Sequence, residues 1–116
     1  MTVYLLKRIY DEVEDDDGYR VLVDRLWPRG ISKEHAALGE WCTDVAPSTE
    51  LRTWYGHRPE RFEEFAERYR IELQTSGQAA KFAKRMADKP TVTLLVGAKQ
   101  PELSQGAVLQ ELLRTI

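Results

Sequence analysis

The chain has 116 residues, 42% hydrophobic and 31% charged, a mix that suits one globular core and leaves no room for a second. Seventeen Lys and Arg against 19 Asp and Glu give a net charge of −2, which argues against a constitutive nucleic-acid coat. Its single cysteine, Cys42, excludes an internal disulfide framework and a Cys-rich zinc site. No apolar run is long enough to span a membrane, and Met1–Arg8 lacks the apolar stretch and small-residue cleavage site of a signal peptide. The expectation is one reduced, cytosolic domain over residues 1–116.

In chain order, Val3–Tyr10 and Tyr19–Asp24 are rich in β-formers and read as two strands. Between them, Asp11–Asp17 holds six acids in seven residues and closes on Gly18; without it the remaining chain would carry +4. With Gly18 set at the sixth position of a calcium loop, the first position falls on Val13, so that loop type fails and a solvated turn is expected. The consecutive Val21, Leu22 and Val23 suit a strand covered on both faces. Leu26-Trp27-Pro28-Arg29-Gly30 ends any regular element. Ser32 can cap a short helix, and Leu38–Val45 contains a short strand at most.

The second half is mostly helical. Ser48 caps a predicted helix to about Trp54 or Tyr55, and Pro59 suits the first position of a long helix reaching about Leu73. Along it Phe62, Phe65, Ala66, Tyr69 and Leu73 form one apolar stripe, and Ala79, Phe82, Ala83 and Met86 repeat the period in a further helix. Thr91–Val96 is the strongest strand in the chain, ended by Gly97. Ser104 caps a last helix carrying Val108, Leu109, Leu112, Leu113 and Ile116. Two-sided strands alternating with amphipathic helices predict a small three-layer α/β domain, with a short, mostly parallel sheet flanked by helices.

Open α/β sheets bind ligands outside the carboxyl ends of their strands. One such end here carries Asp24, Arg25 and Arg29, followed by Lys33; the other carries Gly97 and Lys99, with Ser104 opening the next helix. Cations beside a helix N-terminus make an anion pocket, and arginine forks suit phosphate or carboxylate. The second loop lacks a P-loop pattern, so it does not argue for a nucleotide. Asp24 and His57 are candidates for acid–base work. Two histidines 22 residues apart, His35 and His57, give no metal-ligand spacing, so no metal or cofactor is expected. Cys42 reads as a small buried residue, and Trp27, Trp41, Trp54 and Tyr55 as core or pocket walls. Arg58, Arg61, Arg68 and Arg70 interleave with glutamates as a salt-bridged outer face.

The block Val21-Leu-Val-Asp-Arg-Leu-Trp-Pro-Arg-Gly30 resembles the signature of the YeaO-like branch of domain-of-unknown-function family 488. The similarity continues through Glu40-Trp41, Ala46–Arg52, Phe62–Tyr69 and Thr93–Lys99. It implies a compact cytosolic α/β domain with the signature loop near the sheet's carboxyl edge, and it implies no particular activity. Carried over by match, Asp24, Arg25, Arg29, Trp41, His57 and Lys99 are the expected site. Relatives often place Asn or His before the last helix, where this chain has Leu103-Ser-Gln-Gly106. The Cys and His-Arg groups that the broader family carries after the corresponding strand are absent as well.

The reading these residues favour is a small anionic ligand, phosphorylated or carboxylated, held at the strand ends. Two alternatives stand beside it: nucleic-acid association with Trp54 and Tyr55 stacking bases, and a protein-interaction domain docking through its aromatics.

Overall fold

A computed structural model describes all of residues 1–116. Its sheet has four strands, β1 (Val3–Arg8), β2 (Tyr19–Leu22), β3 (Glu40–Trp41) and β4 (Thr91–Val96), in the order β1-β4-β2-β3. Every pairing is parallel: Val3 to Arg8 lie beside Thr91 to Val96, and Tyr19 to Leu22 beside Val92 to Leu95. The two inner positions fall to β4 and β2, and five of the six β4 residues are buried, as expected where both faces and both edges of a strand are covered.

The helices are α1 (Lys33–Ala36), α2 (Thr49–Tyr55), α3 (Phe62–Ser76), α4 (Gln78–Met86) and α5 (Gln105–Thr115). Serine caps start three of them: Ser32 accepts from His35 N–H, Ser48 from Leu51 N–H and Ser104 from Gly106 N–H, each at 3.1 Å. Pro59 begins a single 3₁₀ turn, Pro59–Arg61, that leads into α3. Helices α3, α4 and α5 cover one face of the sheet. There Phe65, Tyr69, Phe82 and Leu109 pack with Val21, Val92 and Leu94 in the main core. Burying each large side chain of this kind stabilises the fold by about 1.5–3 kcal/mol.

The opposite face has a thinner cover, built from irregular chain and the four-residue α1. A second cluster, Ile9, Leu22, Ala36 and Leu95, packs there beneath Trp27, Ile31 and Leu38. Cys42 is buried, in keeping with its reading as a small core residue. Arg68 pairs with Glu64, and Arg70 lies 3.8 Å from Glu111.

The acidic segment departs from the expected solvated turn. β1 and β2 run parallel with β4 between them, so the chain must cross the sheet to join them, and a tight turn cannot do that. Asp11–Asp16 stay exposed, but Asp17 is only 3% exposed. Its carboxylate accepts from Lys7 Nζ at 2.9 Å and from Arg20 Nη1 at 2.5 Å, and Thr93 donates to its backbone carbonyl. Burial alone would raise its pKa, but the hydrogen bonds from Lys7, the Glu14 backbone and Arg20 prevail and hold it below the usual carboxylate range. Arg20 is likewise buried and spends two more N–H groups on the Ala36 carbonyl.

Candidate functional site

The carboxyl ends of β2 and β4 open into a two-lobed cleft. Its inner lobe, about 340 Å³, is lined by Asp24, Arg25, Leu26, Pro47, Arg52, Thr53, Tyr55, Gly56, His57, Phe65, Gly97, Ala98 and Gln105. The outer lobe, about 430 Å³, shares Tyr55, His57, Gly97 and Ala98 and adds Pro59, Lys99, Gln100 and Leu103. One wall is the loop leaving β4; the other is the C-terminal end of α2 and the turn that follows it.

Asp24 joins the two strand ends. Its Oδ2 accepts from Gly97 N–H at 2.9 Å and its Oδ1 from Gln105 Nε2 at 2.5 Å. A Cβ at position 97 would lie 3.0 Å from that Oδ2 and 3.5 Å from Pro28 Cβ, so a side chain there would crowd the Asp24 carboxylate. Burial pushes the Asp24 carboxyl above its usual pKa. The bonds from Gly97 and Gln105 and the charges of His57 and Arg52 oppose that shift without cancelling it.

Tyr55 is 5% exposed, stacks on Phe65 with ring centroids 4.4 Å apart and donates its hydroxyl to the Leu103 carbonyl. It is a fixed wall with no free face for a base. Trp54 has Arg61 and Arg68 over its ring at 5.1 and 4.6 Å, so its indole is already engaged by cations. Past Tyr55 the chain turns through Gly56 at φ 54° and His57 at φ 58°. Histidine tolerates this left-handed conformation better than most residues but still at some cost, and it places His57 at the junction of the lobes.

Arg25, Arg52, His57 and Lys99 converge on this cleft. All seven ion pairs of the chain lie elsewhere, and none of them involves Arg25, Arg52, His57 or Lys99. Arg25 spends Nε on the Pro47 carbonyl at 2.8 Å and Nη2 on the Ala46 carbonyl at 3.4 Å. Arg52, His57 and Lys99 are exposed, with no acidic partner.

Of the residues expected from sequence, Asp24, Arg25, His57, Gly97 and Lys99 come together here, while Arg29, Lys33, Trp41 and Ser104 line neither lobe. Arg29 and Lys33 are exposed, and the Arg29 carbonyl accepts from Tyr10. Trp41 donates its indole N–H to the Asp24 carbonyl at 2.7 Å and meets Trp27 edge-on at 5.4 Å, which braces the loop from behind. Ser104 is 1% exposed and serves as the α5 cap. Sequence reasoning missed Arg52 and gave Gln105 only a place at a helix start. A basic residue in the last turn of a helix and a polar one at a helix start both read as ordinary terminal residues.

No group of three or more His, Cys, Asp or Glu side chains is placed to hold a metal ion, and no helix is long and apolar enough to cross a membrane. What fold and cleft define is a small α/β protein with a parallel sheet and a cationic cleft at the carboxyl edge of its strands. The chain belongs to the family described as the inactive DUF488-N3 subclade, which it matches over residues 4–116. It is 44% identical over 110 residues to the uncharacterized protein YeaO of Escherichia coli K12, covering 95% of this chain and 96% of that one. Uncharacterized proteins of Mycobacterium tuberculosis H37Rv and Mycobacterium bovis are each 49% identical over 106 residues, 91% of this chain and 89% of theirs. No solved structure matches the chain.

Proposed function

We propose that this protein binds a small anionic ligand, phosphorylated or carboxylated, in the cleft between the β4–α5 loop and the end of α2. The observation that carries the reading is the convergence of Arg25, Arg52, His57 and Lys99 on one cleft, with none of the four in an ion pair. An excess of positive charge in a cleft raises the local concentration of anions, and here the cations outnumber the one carboxylate, Asp24. Arg52 supplies a planar fork to the inner lobe and Lys99 a mobile ammonium to the outer one.

The binding is proposed to be non-catalytic. Asp24 already accepts from two protein donors and holds the walls in place, a positioning role more than that of a poised base. The family's description as an inactive subclade supports the same conclusion. Cytoplasmic residence is part of the proposal, since a chain with one cysteine carries none of the internal disulfides that mark many secreted domains.

The test is calorimetric titration with inorganic phosphate and with glutarate, on wild type and on a double variant Arg52→Ala/Lys99→Ala. The expected result is measurable binding to wild type, weakened at least tenfold in the variant. Equal affinities in the two proteins, or no binding to either, would overturn the reading.

A further inference from the structure

Asp24 is out of place in a cleft built only for anions. A carboxylate presents about four acceptor positions, and Gly97 and Gln105 occupy one on each oxygen. Asp24 nevertheless lines the inner lobe, with Arg52 beside it and no cation bonded to it. The Asp17 carboxylate, by contrast, takes three donors, two of them cationic: Lys7, Arg20 and the Glu14 N–H. A pure anion placed against Arg52 would sit near the Asp24 charge with nothing between them. A ligand with an ammonium next to its acid group would meet both.

We infer that the ligand is a small amino acid: its α-carboxylate faces Arg52, its ammonium donates to the open acceptor positions of Asp24, and its side chain extends past His57 into the outer lobe. This rests on the anion-binding reading above and narrows it to a ligand class. An acidic side chain suits the outer lobe best, because its lining adds the Lys99 ammonium to the apolar surface of Tyr55, Pro59 and Leu103.

L-Glutamate and glutarate make the deciding pair, because they differ only in the α-amino group. Calorimetry on the wild-type protein, at one ionic strength near pH 7, should show glutamate binding at least tenfold more tightly than glutarate, about 1.4 kcal/mol. Asp24→Asn should bring that ratio close to one, with folding checked by circular dichroism. If the variant does not fold, the wild-type ratio decides alone. Equal affinities for glutamate and glutarate, with phosphate still bound, would overturn the amino-acid assignment and leave the anion site standing. Loss of all three would overturn both, and a tenfold ratio that survives Asp24→Asn would remove Asp24 from the recognition.

Discussion

Two aspartates, Asp17 buried and Asp24 half-buried, flank the same strand and have opposite surroundings. Asp17 lies just before β2 and is neutralised by Lys7 and Arg20; Asp24 lies just after it and receives only neutral donors, a backbone N–H and a glutamine amide. The first is held below the usual carboxylate range and the second is pushed above it. A glycine lies beside each: Gly18 follows Asp17 in the chain, and Gly97 donates its N–H to Asp24. A Cβ on Gly18, at φ 64°, would lie 2.4 Å from the Thr91 carbonyl, and one on Gly97 would press on Asp24 itself. At one end of the strand charge is consumed in fixing the crossover to the sheet. At the other it is left unmatched around a cavity, which is where a ligand gains most.

The sharpest way to break this contrast is to remove Asp17. Asp17→Ala leaves Arg20 buried without its counter-charge and should cost about 3–5 kcal/mol, read as a lowered urea midpoint. Gly18→Ala should come next, at about 2–3 kcal/mol, because it combines left-handed backbone with a direct clash. A loss below about 1 kcal/mol for either would show that the crossover is not anchored as described. Asp24→Asn keeps the side chain's shape and one acceptor for Gly97, so it should cost less, about 1–2 kcal/mol.

The two carboxylates also set opposite pH dependences. Asp17 has a folded pKa below its unfolded value, so its stabilisation is complete above about pH 4 and is lost as pH falls through the folded value. Asp24 has a folded pKa above its unfolded value, so its contribution is most favourable at low pH and declines as pH rises from about 4 through the folded value. Urea melts from pH 2 to 7 should therefore show Asp17→Asn flattening the acid-side loss and Asp24→Asn flattening the decline above pH 4. Identical profiles for the two variants would contradict the contrast. Smallest of all, Lys99→Ala should change stability by no more than about 0.5 kcal/mol while weakening phosphate binding several-fold.

Much of the fold was legible because its signals are local. Ser48, Ser104 and Pro59 mark helix starts, and the Phe65–Leu73 stripe marks a buried face through side-chain spacing alone. The crossover was not legible, because nothing in Asp11–Asp17 says that β4 will insert between the strands it joins. For the same reason no local pattern distinguishes Asp17 from Asp15 or Asp16; only Lys7, Arg20 and Thr93, brought from afar, do so. At the site, Asp24, Arg25, Gly97 and Lys99 followed from the rule that open α/β sheets bind at strand ends. Arg52 did not, since its place in the cleft depends on where α2 docks against α3. Arg29 shares the signature block with Arg25, yet it is exposed and lines neither lobe, which residue type and spacing do not reveal.

The central claim is that the cleft's unmatched cations take up an anion. Amide chemical-shift mapping during a titration with inorganic phosphate tests it most directly. The account predicts saturable shifts concentrated at Arg52–His57 and Gly97–Gln100, with Lys81, Lys84 and Arg85 on α4 unmoved. Shifts spread over the exposed basic residues, or centred on α4, would contradict it.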